Sequence, residues 1–258
     1  MGSPLIKVET IGDVCVIRFD DPATRNAVTK DMAWALDAAL EAAPRTSRAV
    51  LLTGEGKAFC SGARIGDDLD PLADDYDVGE QLETHFNPLM ERIRRLPIPI
   101  VTAVNGAAAG IGASFALAGD LVIIGDSGFF LEVFCHVGLI PDGGAAFLLQ
   151  KSIGLRRASE MMLLGERVGA EQALNWGLVN RVAPDDELFA VALRFAATLA
   201  AGPTKALGMT RRLAWDATEA PFSEILALER ALQREAGLGA EHREGVAAFR
   251  SKRRPKFS

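Results

Sequence analysis

Three short, almost purely apolar runs set the limits on what this chain can fold into. They are AVLLT (49–53), IVTAV (100–104) and LVIIG (121–125). A strand with one wet face alternates apolar and polar residues; these runs do not, so they read as strands buried on both faces, as in a parallel sheet covered by helices. The segments between them carry helical spacing. Met32, Leu36 and Leu40 share a face over 29–42. Val78, Leu82, Phe86, Leu89, Ile93 and Leu96 step by three or four until Pro97 and Pro99 stop the helix. A further helix is predicted from about Ile111. Strands alternating with helices point to an α/β fold. Residues 5–19 read as a hairpin, LIKVE and VCVIRF, turning at Ile11-Gly12-Asp13.

After about residue 143 the pattern changes. Only LVNRV (178–182) resembles another strand, and 186–201, 204–215 and 221–238 read as alanine- and leucine-rich helices. The expected organisation is therefore a strand–helix core over 1–195 and a helical region over 196–258. So apolar a helical region packs on the core or builds an oligomer. No internal sequence repeat stands out.

Composition narrows the class. Forty-nine per cent of the chain is hydrophobic and 24% is charged, which suits a globular protein with a large core. The net charge of −6 opposes general binding to nucleic acid or membrane surfaces. Cys15, Cys60 and Cys135 are too scattered for a disulfide framework or a metal cluster, and His85, His136 and His242 are isolated, so no metal site is expected. This cysteine usage fits a reducing, cytoplasmic setting. MGSPLIKVE shows no signal-peptide pattern. Residues 97–126 are long enough to span a bilayer, but Asn105, the glycines and the flanking prolines break them into strand, loop, helix and strand.

Two glycine-rich loops, GKAFCSGARIG and NGAAAGIGASF, leave the C-terminal ends of the runs at 49–53 and 100–104. Ligands of open α/β sheets collect there. Small residues let a substrate approach the backbone, and two N–H donors converging on one carbonyl oxygen would stabilise an enolate or a tetrahedral oxyanion. There are plainer readings. Small residues also serve helix–sheet packing. The second loop departs from a dinucleotide fingerprint, with Phe115 at the third glycine position and no suitable acidic residue downstream. Cys60 reads as a structural thiol rather than a nucleophile, since no histidine motif accompanies it.

The runs DDPATRNAVT (20–29), GKAFCSGARI (56–65), AVNGAAAGIGASFALAGD (103–120), VGLIPDGGAAFLL (137–149), LLGERVGAEQALNWGLVNRV (163–182) and EGVAAFRSKRRPKF (244–257) together resemble the crotonase (enoyl-CoA hydratase/isomerase) superfamily. They come in that family's order and spacing and cover nearly the whole chain. The resemblance implies an α/β crotonase-like spiral of ββα repeats with a helical C-terminal trimerisation region, a homotrimer or dimer of trimers, and an acyl-CoA thioester as substrate. CoA is then part of the substrate, and no separate cofactor is implied. The oxyanion hole would fall on the backbone N–H groups of Ala63 and Ile111. Contacts to CoA would fall on Arg25, Ala27, Ser61, Ala63 and Ile65, and on Lys252 reaching from a neighbouring subunit. Arg64 departs from the family, which usually has Asp after Gly-Ala.

Family hydratases use two glutamates, at positions that here are Ser114 and Phe134. With both carboxylates absent, ordinary hydration is not expected, because it needs one group for water and one for the α-proton. Asp142 of GLIPDGG falls where isomerase members carry a catalytic carboxylate, and where the 4-chlorobenzoyl-CoA dehalogenase branch carries its nucleophile. VGLIPDGG, the small Ser114 and the C-terminal HREGVAAFRSKRRPKF together resemble 1,2-epoxyphenylacetyl-CoA isomerases and, after them, the double-bond-shifting acyl-CoA isomerases. Pro-Asp-Gly-Gly is also a strong turn sequence, with Asp favoured there or as a helix N-cap. Glu132 is a second candidate base, two residues from the hydratase position and on the same face if that segment is a strand. Phe130, Phe134, Ser114 and Glu132 would line the acyl pocket, with Phe129 and Phe147 as further aromatic wall. Asp120 and Asp126 read as strand ends. The expected activity is proton transfer through a thioester enolate. Alternatives are hydration, another crotonase-type lyase or hydrolase reaction, or a catalytically silent CoA- or RNA-binding role.

Overall fold

The computed structural model describes residues 5–64 and 77–257. The hairpin forms as β1 (Ile6–Ile11) and β2 (Val14–Phe19). Helix α1 (Lys30–Thr46) follows, capped by Thr29, whose side chain accepts from the Met32 N–H at 3.2 Å. It runs past the expected end at residue 42, through Pro44. The first apolar run is β3 (Ala49–Gly54), buried along its whole length. The predicted loop after it contains a short strand, β4 (Ala58–Cys60).

The helix expected over 78–96 is interrupted. α2 (Val78–Gln81) widens into a π-helical turn at Leu82–Phe86 before α3 (Asn87–Arg95). Pro88 has no N–H to give the ladder, and the Asn87 N–H reaches back five residues to the Leu82 carbonyl. The next runs form β5 (Ile100–Val104), β6 (Ala107–Ala109), α4 (Ile111–Leu117), β7 (Leu121–Gly125) and β8 (Phe129–Leu131). The 97–126 stretch is thus strand, strand, helix and strand, and no helix among the described residues is long and apolar enough to cross a membrane. A 3-10 turn at Val133–Val137 leads to α5 (Ala145–Leu164), then β9 (Val168–Gly169), α6 (Ala170–Trp176) and β10 (Arg181–Ala183). The chain ends in α7 (Leu188–Ala200), α8 (Thr204–Asp216), α9 (Phe222–Gly237) and α10 (Ala240–Arg250).

The strands sort into two sheets. The larger has the order β1-β2-β3-β5-β7-β10 and the smaller β4-β6-β8-β9. Successive turns of the chain, β3-β4, β5-β6 and β7-β8, each give one strand to the large sheet, one to the small sheet, and then a helical segment. This is the spiral of ββα units, and it repeats in space with no repeat in sequence. Side chains alternate across the large sheet. Val50 and Leu52 enter the core containing Met32, Leu36 and Leu40 of α1, while Ala49 and Leu51 face α7. α7 meets that second face with Leu188, Ala192, Ala196 and Ala200, a four-residue repeat whose small side chains let the helix lie close to the strands. The expected boundary at residue 195 falls inside this helix.

The helical region is pinned by a residue that sequence reading did not single out. Arg211 of α8 is 6% exposed. Its Nε donates to Asp120 Oδ2 at 2.7 Å, and its two terminal nitrogens donate to the carbonyls of Arg94 (2.6 Å), Leu96 (3.0 Å) and Ile93 at the end of α3. Asp120 does follow a helix and precede β7. Its other task is to hold Arg211 and the Ile100 N–H (2.7 Å) together.

Candidate active site

Ala63 and Ile111 lie on the two glycine-rich loops, and the spiral brings those loops together. Ala63 forms a parallel bridge with Val28: the Val28 N–H donates to the Gly62 carbonyl (2.8 Å) and the Arg64 N–H donates to the Val28 carbonyl (2.9 Å). That pairing turns the Ala63 N–H away from Val28. Ile111 is the first residue of α4, so its N–H has no partner within the helix. The residues just before the two amides are in contact. Gly62 (φ +105°) and Gly110 (φ +53°) both have left-handed backbones. A Cβ on Gly62 would stand 3.1 Å from the Ala109 carbonyl oxygen, and one on Gly110 would stand 3.8 Å from the Gly62 Cα. Only glycine permits this backbone approach without strain.

Arg25, Ala27 and Ser61 gather at the same loop. The Ser61 N–H donates to the Arg25 carbonyl (3.0 Å), Ser61 Oγ donates to the Thr24 carbonyl (3.0 Å), and the Ala27 N–H donates to Thr24 Oγ1 (3.2 Å). Arg25 is exposed. Between them Asn26 is fully buried and absent from the expected site residues. Its Nδ2 donates to the carbonyls of Ala58 (2.8 Å) and Glu55 (3.0 Å), and its Oδ1 accepts from the Asp21 N–H (2.9 Å). It locks the 20–28 loop to β4. The signal that could have found it is its residue type, since Asn tolerates the left-handed backbone (φ +59°) that this turn demands. Ile65 lies outside the described residues. Lys252 is exposed just beyond α10, which packs on α9.

Two loops bring acidic groups to α4. Ser114, one turn into the helix and fully buried, donates through Oγ to the Asp142 main-chain carbonyl at 3.0 Å. The next residue packs on the same turn: a Cβ at Gly143 would stand 2.7 Å from Ile111 Cδ1. The Asp142 carbonyl also accepts the Ala145 N–H (3.0 Å), which closes a turn over residues 142–145. The carboxyl does not cap α5, whose N-cap is Gly144, and Oδ1 is buried with no hydrogen-bond partner. Burial raises Asp142 to about 6. On the other side the Gly110 N–H donates to the Leu131 carbonyl (2.9 Å), which places Glu132 next to the Ile111 turn. Glu132 is fully buried and neither of its oxygens has a partner. Burial first, and the Asp142 charge second, push it to about 8. The same-face argument for Glu132 fails: β8 ends at Leu131, and Phe134 belongs to the 3-10 turn.

Phe134 reaches this corner, its ring edge 3.6 Å from where a Gly110 Cβ would stand. Phe130 is fully buried in the core, in register with Ala108 and Val168. Phe129 lies beneath the Arg167 guanidinium (4.4 Å), and Phe147 stacks on Trp215 (6.3 Å), so neither follows Phe134 to the Gly110 turn. Burial pushes the Cys60 thiol up to about 12, which leaves an inert structural cysteine.

Both raised carboxyls hold protons that the unfolded chain releases, so folding stability falls with rising pH. The loss from Asp142 accrues from the ordinary carboxylate range up to about 6, and that from Glu132 continues to about 8. Thermal melts across this range are expected to decline in the wild type, and Glu132→Gln is expected to flatten the upper part. Parallel melting curves would show that Glu132 is not the titrating group.

Comparisons with known proteins give the family and the fold. The sequence profile of the enoyl-CoA hydratase/isomerase family matches residues 9–258. The chain is 40% identical to the 1,2-epoxyphenylacetyl-CoA isomerase of Escherichia coli, over 95% of each protein. It is also 40% identical to a Rhodobacter capsulatus protein named a probable enoyl-CoA hydratase, over 100% of this chain and 99% of that one. Its fold matches the crystal structure of an enoyl-CoA hydratase from Polaromonas sp. JS666, with a TM-score of 0.90, 34% identity, and coverage of 98% of this chain and 99% of the other. With matching sequence over nearly its whole length and the same ββα spiral, this chain belongs to the enoyl-CoA hydratase/isomerase family of the crotonase superfamily.

Proposed function

We propose that the protein is an acyl-CoA isomerase that shifts a proton along the acyl chain through a thioester enolate. The observation that carries this reading is the Asp142 carboxyl, whose Oδ1 is buried and unpartnered on a loop packed against the first turn of α4, at a site whose two hydratase positions hold Ser114 and Phe134. The Ala63 and Ile111 N–H groups take the thioester oxygen and stabilise the charge that forms when a neighbouring C–H bond breaks. Asp142, raised toward neutrality, is basic enough to take that proton and acidic enough to release it afterwards. Arg25, Ala27 and Ser61 surround the path of the CoA moiety. Phe134 offers an apolar wall that suits an aromatic or bulky acyl group, in keeping with the name of the E. coli relative. The exposed Phe222, Leu226, Leu238 and Phe249 fit a C-terminal region that is covered in a homotrimer or dimer of trimers.

A mass-spectrometric screen of CoA thioesters, aliphatic enoyl against phenylacetyl-type, tests the reading. Isomerisation gives a product of unchanged mass, whereas hydration adds one water. Steady hydration of crotonyl-CoA with no isomerisation of any thioester would overturn the proposal. The oxyanion hole has its own test. Proline is tolerated at the first position of a helix, so Ile111→Pro removes the donor while keeping α4. A fall in kcat of about 10²–10³-fold is expected, with Ile111→Ala as the control for lost side-chain packing. Equal rates in the two variants would remove the Ile111 amide from the mechanism.

A further inference from the structure

Among the described residues, Glu132 is the one carboxyl with both oxygens buried and unpartnered. A buried polar group with no hydrogen bond is costly, and such groups persist where they serve a function. Glu132 is held in place by the backbone, through the Gly110 to Leu131 hydrogen bond. Asp142 is held from the opposite loop through Ser114 Oγ. The segments that carry the two acids therefore meet at the start of α4 from two independent directions, and among the described residues Asp142 is the charged group that acts on Glu132.

Building on the isomerase reading above, we propose that Glu132 is a second proton carrier of the site: Asp142 takes a proton from one carbon of the acyl chain, and neutral Glu132 delivers a different proton to another carbon. The Asp142 carboxylate forms an O–H bond as the substrate C–H bond breaks, and the electron pair passes into the enolate held by the two amides. The Glu132 O–H bond then breaks as a new C–H bond forms. The proton on Asp142 moves to the Glu132 carboxylate, which restores both groups with nothing else consumed. Like charges at close range favour this division, because one member of the pair keeps its proton while the other ionises. The arrangement uses neither glutamate position of the family hydratases, and sequence spacing places it two residues from one of them.

The test is a single turnover of unlabelled substrate by the wild-type enzyme in D2O, read by mass spectrometry. With two carriers, the product takes its new hydrogen from the solvent-equilibrated Glu132 and carries deuterium in the first turnover. In Glu132→Gln, Asp142 must return the proton it removed, so the product keeps the substrate hydrogen and kcat falls about tenfold or more. The basic limb of the pH–rate profile, expected near 8, disappears in the same variant. Circular dichroism and CoA-thioester binding confirm that the variant is folded. Predominant retention of the substrate hydrogen by the wild type overturns the two-carrier arrangement alone, whatever the variant does. So does a Glu132→Gln enzyme with unchanged labelling and pH profile. Absence of any double-bond shift by the wild type overturns the isomerase reading and this inference with it.

Discussion

Asp142→Asn is expected to lower kcat by roughly 10²–10⁴-fold, the usual contribution of a positioned acid/base group, while thioester binding stays within a few-fold. The substitution is close to isosteric. The hydrogen bonds that hold this loop run to the Asp142 main-chain carbonyl, from Ser114 Oγ and the Ala145 N–H, so they survive the change. The carboxyl itself caps no helix, and its Oδ1 bonds nothing. A neutral amide removes the cost of ionising a buried acid, so the variant is expected to be at least as stable as the wild type at neutral pH. Rate and stability thus move in opposite directions, which a purely structural Asp would not produce. Stopped turnover with intact binding, measured on the best thioester of the screen, is the expected result. Retained turnover would remove Asp142 as the base.

Arg211→Ala is expected to cost about 3–5 kcal/mol of folding stability, the range for breaking a buried charge pair by removing one partner. Four acceptors lose the Arg211 donor at once: the carbonyls of Ile93, Arg94 and Leu96, and Asp120 Oδ2, which keeps the Ile100 N–H. Those carbonyls end α3, where the intrahelical N–H supply runs out and the Leu96 N–H reaches Ile93 only at 3.4 Å. Arg211→Lys is expected to recover only part of the loss, because one ammonium cannot span a carboxylate and three carbonyls as the planar fork does. For a chain of this size the melting temperature should fall by roughly 10 °C. A drop of a degree or two would mean that α8 is held by its apolar contacts and not by Arg211.

Much of the site is legible in the amino-acid order alone. The N-terminal hairpin, the three buried strands and the helices α7, α8 and α9 follow from periodicity and breakers, each because its apolar residues must face a core. The two glycine-rich loops stand out at strand ends, and the resemblance to the crotonase superfamily points to Ala63 and Ile111 within them. Three features are not legible. β4 (AFC), β6 (AAA) and β8 (FFL) have three residues each, too few to show a period, and they exist only because the small sheet pairs them. The π-helical turn before Pro88 hides inside a continuous apolar stripe. Asn26 is a residue type suited to a left-handed turn, but its bonds to Glu55 and Ala58 cross about thirty residues of chain.

The sequence by itself determined the class of fold, the order of its main elements and the identity of the groups able to do chemistry, because burial patterns and local backbone preferences are encoded residue by residue. Tertiary structure alone decided that the segments carrying Glu132 and Asp142 meet at the start of α4 and that Arg211 clasps α3. Those outcomes depend on distances between segments far apart in the chain, set by sheet pairing and loop hydrogen bonds, and the electrostatic state of a carboxyl follows from what surrounds it in space and not from its neighbours in sequence.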